Sequence, residues 1–294
     1  MSVRPFRFGL NILELAGPLE VAALARRAAE LDYDVLLVPD HLGMPAPFPT
    51  LVAAGATAGL RLGTFVLNAA FHNPALLARE VASTDVLTGG RLELGIGTGY
   101  VADEFAAAGI AYGTARDRLD RLGEVVDAVY ARLADPELVP RPTQPRVPLL
   151  IGGNGNRLLT LAAERADIVA FTGATPAPGD PSAFRVLAGE AFAERVAFFE
   201  RAAGARAGEI ERNLLVQDVV LTDDRDAALA ALAERFPYLS AAEFATVPVL
   251  LVGTVAQVAA QVRDLRDRFG ITYLTVLHPA LERFAPVIAA LRGT

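Results

Sequence analysis

Three histidines, His41, His72 and His278, each stand where an apolar run ends, in VLLVPDH, LGTFVLNAAFH and ITYLTVLH. Imidazole gains or loses a proton near neutral pH, so a histidine at such a place is a candidate general acid or base. The chain has no Cys, no Trp and no Lys, and all 27 of its basic residues are Arg. Thiolate catalysis, disulfides, cysteine-ligated iron–sulfur clusters, a lysine Schiff base and a P-loop lysine are thereby excluded. Asp40 adjoins His41 and is expected to tune it, which makes this pair the first catalytic candidate. His72 precedes Asn73-Pro74 and His278 precedes Pro279, so both read as loop residues ahead of a helix start. Three imidazoles could share a metal ion. No acid cluster joins them, however, and no metal is expected.

Two glycine-rich segments could hold a ligand. GGNGNR, residues 152–157, opens the helical stretch NRLLTLAAERA. Glycines let a backbone approach an anion closely, and the free N–H groups of a helix start attract phosphate. Gly152, Gly153, Asn154 and Gly155 therefore form a candidate phosphate turn, to which Arg157 could add a charged fork. The alternative is a tight strand-to-helix turn. GIGTGY, residues 95–100, has alternate glycines that would equally serve close packing of a strand against its neighbours.

The elements that must position these residues follow a strand–helix rhythm. Apolar runs occur at 6–12, 35–38, 62–68, 92–97, 148–151, 168–171, 214–221 and 273–277. Most are continuously hydrophobic, as parallel strands buried on both faces require. Between them lie amphipathic segments. Leu119, Leu122, Val126, Val129 and Leu133 recur at helical spacing, as do Val255, Val258, Val262, Leu265 and Phe269 after Thr254, an expected N-cap. Gly17-Pro18 and Asn73-Pro74 are further expected helix starts. This pattern predicts an α/β fold, a single (β/α)₈ barrel over residues 1–294, with catalytic residues at the carboxyl ends of the strands. A doubly wound sheet is the rival, but GLNILELAGPLE after the first run lacks the Gly-x-Gly-x-x-Gly fingerprint. Segments 98–114, 172–184 and 236–249 read as insertions. The second, rich in Pro and Gly, is a candidate lid.

Composition bounds the partners. Apolar residues make up 53% of the 294, ample for a large core, and the formal charge is −7. With no basic run, nucleic-acid binding is not expected. Charged residues interrupt every hydrophobic stretch and the N-terminus lacks an apolar signal core, so a cytoplasmic protein with no membrane span is expected.

Together the segments AARRAAELDYDVLLVPDHLG, LRLGTFVLNAAFHNPALLAREVASTDVLTGGRLELGIGTGY and PLLIGGNGNRLLTLAAERADIVAFTG resemble the bacterial luciferase-like family of flavin- and deazaflavin-dependent oxidoreductases. Within it the chain is most similar to the branch that uses coenzyme F420. The resemblance implies a hydride transfer between the deazaflavin and a small organic substrate. In that reading His41 is the proton donor or acceptor and Asp40 holds its tautomer. It implies a non-proline cis peptide at Phe65 and Val66 that backs the ring. It also implies cofactor contacts from Thr98, Gly99 and Tyr100, from Gly152, Gly153, Asn154, Gly155 and Arg157, and from Thr172. A homodimer is the expected assembly. The sugar-phosphate dehydrogenases of the branch carry a Glu near Tyr100, a Trp after the Asp-His pair, and lysines for a phosphate. Those departures make glucose-6-phosphate a poor candidate and favour a weakly charged substrate. An FMN-dependent monooxygenase and a non-catalytic flavin-binding protein are the alternatives.

Overall fold

The computed structural model describes residues 4–14, 18–177 and 180–294. In chain order the strands are β1 (Arg7–Asn11), β2 (Val35–Val38), β3 (Arg61–Thr64), β4 (Leu67–Asn68), β5 (Leu92–Gly97), β6 (Leu149–Gly152) and β7 (Ile168–Phe171). They continue as β8 (Ala174–Ala177), β9 (Asp180–Val186), β10 (Glu211–Val216), β11 (Asp218–Leu221), β12 (Leu250–Gly253) and β13 (Ile271–Leu277). The helices are α1 (Pro18–Glu30), α2 (Pro47–Gly55), α3 (Pro74–Leu87), α4 (Ala102–Ala107), α5 (Ala115–Leu133) and α6 (Asn156–Arg165). After them come α7 (Gly189–Ala203), α8 (Arg225–Ala233), α9 (Ala241–Phe244), α10 (Val255–Phe269) and α11 (Leu281–Leu291).

One sheet runs β3-β2-β1-β13-β10-β7-β6-β5-β4, and β3 also pairs with β5, which closes it. β3 and β4 are two pieces of a single stave interrupted at Phe65-Val66, so the closed cylinder has eight staves, all paired in parallel. Each coincides with one of the apolar runs. Closure is fastened where the short β3–β5 ladder ends. There Thr64 Oγ1 donates to Gly95 O at 2.7 Å and accepts the Gly95 N–H at 2.9 Å. A Cβ built on Gly95 would lie 1.9 Å from Thr64 O, so only glycine permits this approach.

Two apolar cores result. The larger lies between barrel and helices, and the smaller, with Val35, Leu37, Phe65, Leu150, Ile168, Ala170 and Tyr273, fills the cylinder. Beneath the smaller core, at the amino ends of the strands, Arg7 bridges Glu93 and Glu211, and Arg61 reaches Glu93 at 2.5 Å. The helices behave as their patterns require. Leu122, Val126 and Val129 of α5 and Val258, Val262, Leu265 and Phe269 of α10 are buried. Thr254 caps α10 in a reciprocal box with Gln257. Asn73 caps α3 ahead of Pro74. The expected cap at Gly17 lies outside the described residues, and α1 is described from Pro18.

One expectation is corrected. The run 214–221 is not one stave. Its first part belongs to β10 and stays in the barrel, whereas β11 leaves at Gln217 and pairs with β12 in a separate parallel ribbon. Continuous hydrophobicity reports burial on both faces but not which sheet does the burying. The insertion 172–184 is largely an antiparallel hairpin, β8 with β9, and residues 178–179 lie outside the described ones. Among the described residues no helix is long and apolar enough to cross a membrane.

Replacing Thr64 by Val strips both hydrogen bonds from buried Gly95 and is expected to cost about 1–3 kcal/mol in denaturant unfolding. Glu93→Ala leaves Arg7 and Arg61 without their shared carboxylate and is expected to cost roughly 3–5 kcal/mol by the same measurement.

Candidate active site

Parallel pairing places every strand's carboxyl end on one rim. Near it the register sets Asn11 beside Leu37, Val38 beside Thr64, Asn68 beside Gly97 and Gly152 beside Ala170. The expected site residues all leave from this rim. Asp40 and His41 follow β2, Phe65 and Val66 lie between β3 and β4, and Thr98, Gly99 and Tyr100 follow β5. Gly152, Gly153, Asn154, Gly155 and Arg157 follow from β6 into α6, and Thr172 follows β7. β2 and β6 are separated by β3 and β5, so His41 and the glycine turn lie on the same rim at different points of its circumference.

His41 Nδ1 stands 2.9 Å from Glu104 Oε1, in a pair whose side chains are 25% and 15% exposed. On its other side the Tyr100 hydroxyl approaches Nε2 at 3.5 Å, with the two rings edge to face. Burial, and then the charge of Glu104, holds the Tyr100 phenol above its ordinary pKa, so it remains protonated. Phe184 of β9 meets Tyr100 edge-on at 5.0 Å. Glu104 belongs to α4, a short helix anchored by the buried Phe105. That ring packs against Phe71 and Tyr112, and the Tyr112 hydroxyl donates to Tyr100 O at 3.0 Å. A carboxylate in the first turn of a helix is favoured by the N–H groups exposed there.

Asp40 does not take the partner expected of it. Its Oδ2 accepts from the Asn68 backbone N–H and from His72 Nε2, each at 3.0 Å. Though neighbours in sequence, Asp40 and His41 lie past the end of β2 and take different partners. His72 is correspondingly more than a loop residue: it ties the end of the third stave to the second. Glu104 is the site residue that sequence reading missed; His72 reads in the sequence as a loop residue, and its tie to Asp40 comes from the structure. Glu104 is 63 residues from His41, and no local spacing links them. His278 begins a 3₁₀ turn after β13, and among the described residues no group of His, Asp and Glu is placed to hold a metal ion.

The peptide between Phe65 and Val66 is cis. Phe65 turns into the barrel core, while Val66 sits over three positions that lack a Cβ. A Cβ built on Gly95, Gly97 or Gly152 would lie 3.3, 2.8 or 3.5 Å from the Val66 methyls. Gly99, at φ +69°, brings its Cα against the Asn68 amide, where a Cβ would come within 2.4 Å. In the next loop Asn154 is 6% exposed. Its Nδ2 donates to Thr172 Oγ1 at 2.6 Å and to Ala174 O at 2.5 Å, and its buried Oδ1 has no partner among the described residues. Helix α6 starts behind Gly155 with no side-chain cap, which leaves its first N–H groups available to a ligand. Arg157, in its first turn, is exposed. The rim thus offers an apolar platform, a buried acceptor, open helix N–H groups and a tethered imidazole.

The pattern of the luciferase-like monooxygenase family matches residues 4–272. A protein of Nakamurella multipartita named F420-dependent glucose-6-phosphate dehydrogenase is 33% identical over 192 residues, or 57% of this chain and 56% of that relative. The chain thus matches little more than half the length of this curated relative. Among solved structures, an F420-dependent secondary alcohol dehydrogenase in complex with an F420-acetone adduct superposes with a TM-score of 0.77 at 16% identity, covering 98% of this chain and 100% of its own. A monooxygenase from Streptomyces bottropensis superposes with a TM-score of 0.73 at 22% identity, covering 97% and 98%. At those identities the likeness is one of fold. With the closed parallel barrel and the match over most of its length, the chain belongs to the luciferase-like monooxygenase family, a family of enzymes.

Proposed function

We propose that this protein is an F420-dependent oxidoreductase acting on a small, weakly charged organic substrate, with His41 as the proton donor or acceptor. The observation that carries the reading is the tethered His41 imidazole on the same rim as the Val66 platform and the glycine turn. When bound, the deazaflavin supplies hydride chemistry at its ring; the protein supplies orientation and the proton.

The residues present fit such a group. Val66, held over Gly95, Gly97 and Gly152, would back a flat ring. Asn154 Oδ1, without a partner among the described residues, would accept from a hydroxyl of the cofactor tail, and the open first turn of α6 would take its phosphate, with Arg157 adding charge. Thr98, Gly99 and Tyr100 would border the ring on the β5 side, and Thr172 would keep the Asn154 amide turned. His41 would hold or release a proton at Nε2, with the Tyr100 hydroxyl beside it.

The rim around His41 is apolar and aromatic, with Leu42, Tyr100 and Phe184 exposed. With no Lys in the chain, this lining supports a weakly charged substrate rather than the glucose-6-phosphate for which the Nakamurella relative is named. The proposal includes a homodimer, supported by the exposed Leu76, Val86 and Leu87 on α3. Light scattering is expected to return twice the mass of the chain.

A fluorescence titration with F420 is expected to saturate, and FMN under the same conditions is expected to bind far more weakly. Tighter FMN binding, with oxygen consumed in turnover, would instead assign the chain to the monooxygenases. In the F420-loaded protein, His41→Ala is expected to reduce turnover by roughly 10²- to 10⁴-fold while the Kd for F420 changes far less. Undiminished turnover would remove His41 from the reaction. Tight binding without turnover on a panel of alcohols, imines and enones would mark a flavin-binding protein without catalysis.

A further inference from the structure

We propose that Glu104, rather than the adjoining Asp40, is the carboxylate that governs His41. It fixes the ring proton on Nδ1, leaves Nε2 as the proton-accepting atom at the barrel mouth, and balances the charge when Nε2 takes a proton. This rests on the reading of His41 as the proton-handling residue given above.

A carboxylate has no proton to give, so across the 2.9 Å between Glu104 Oε1 and His41 Nδ1 the imidazole is the donor. A neutral imidazole with Nδ1 protonated carries its lone pair on Nε2. The neighbour on that side is compatible with this. The Tyr100 phenol, kept protonated by burial and by Glu104, can donate toward Nε2 and leaves the ring nitrogen an acceptor. Asp40 is unsuited to the task. Its Oδ2 already accepts from Asn68 N–H and His72 Nε2, and the His72 carbonyl is itself held by Arg121 at 2.9 Å. Asp40 is thus a strap between the second and third staves, and Glu104 a positioning residue acting through His41.

The contacts also explain how Glu104 keeps its place. Phe105, 1% exposed, pins α4 between Phe71 and Tyr112, and the Tyr112 hydroxyl fixes the carbonyl of Tyr100. The imidazole is therefore gripped from α4 by Glu104 and flanked by Tyr100 from the β5 loop. A group held within a narrow range of orientation presents its reactive atom without an ordering cost at each turnover.

The test uses the 294-residue chain without cofactor, labelled with ¹⁵N. Its three histidines give few enough ring signals to assign. Long-range ¹H–¹⁵N correlation at about pH 8.5, above the usual imidazole range, reads the tautomer of each ring directly. Wild-type His41 is expected to show a protonated Nδ1 and a bare Nε2. In Glu104→Ala the His41 pattern is expected to move toward an Nε2-protonated mixture while the His72 signals stay put, which also shows that the fold is intact. In Asp40→Asn the reverse is expected: His72 moves and His41 does not. With F420 bound, Glu104→Gln is expected to lower kcat about tenfold or more with little change in KM, and Glu104→Asp to recover part of the loss. A wild-type His41 protonated on Nε2, or one indifferent to Glu104→Ala, overturns the proposal. So does a tautomer change that leaves kcat untouched. If the wild type shows no turnover with F420, the function proposed above fails, and the nitrogen shifts alone still decide whether Glu104 fixes the ring.

Discussion

The molecule depends on the contact that closes the cylinder. β3 and β5 pair over only two residues each before the third stave bulges, and the Thr64 hydroxyl then continues the ladder by bonding both the N–H and the carbonyl of Gly95. Without that closure the sheet would have two edges and no common mouth. With it, eight carboxyl ends are gathered into a ring, and residues hundreds of positions apart in the chain become neighbours. The same approach forces glycine at position 95, and Gly97 and Gly152 extend the gap into which Val66 settles. Fold and candidate ligand platform are therefore products of one steric constraint.

The interior is divided by chemistry along the barrel axis. At the amino ends of the strands, buried Glu93 is shared by Arg7 and Arg61, while Arg7 also meets Glu211 and lies over the Tyr273 ring. Mutual compensation is what allows such charges to remain inside, and losing one member leaves the others exposed to the full cost of desolvation. Above them lies an apolar layer around Leu37, Phe65, Leu150 and Ala170. Above that layer, at the rim, the His41–Glu104 pair is partly exposed, and the buried Asn154 Oδ1 has no partner among the described residues. The closed end is specialised for stability and the open end for chemistry, the usual division of labour in such barrels.

At the mouth, two imidazole–carboxylate pairs lie close together in sequence and differ in use. Asp40 with His72 joins adjacent staves, and both members are engaged with the backbone around them. Glu104 with His41 joins a strand end to a short helix in an insertion and leaves one ring nitrogen facing Tyr100. The insertions do much of this work. Segment 98–114 contributes Tyr100 and Glu104. The β8–β9 hairpin brings Phe184 against Tyr100 and is itself held to the α8–α9 connection through the Val186 N–H and the Tyr238 hydroxyl.

The sequence by itself determined the staves, because a strand buried on both faces must be apolar throughout, and each of the eight runs supplied a barrel strand, the run 214–221 with its first part only. It determined the helix starts at Asn73 and Thr254, where a side chain caps its own backbone within three residues. It also marked the rim, because glycines and a polar residue at a strand end survive there only when backbone or ligand must come close; family resemblance added the cis peptide at Phe65-Val66. Tertiary structure alone decided which carboxylate serves which histidine. Asp40 and His41 are neighbours in the chain, yet Asp40 is taken up by Asn68 and His72, and the partner of His41 arrives from α4. It alone decided that β11 leaves the barrel for β12, since hydrophobicity measures burial without naming the surface that provides it. Local rules act over a few residues; partners that meet across loops are chosen by closure, and closure is a property of the whole chain.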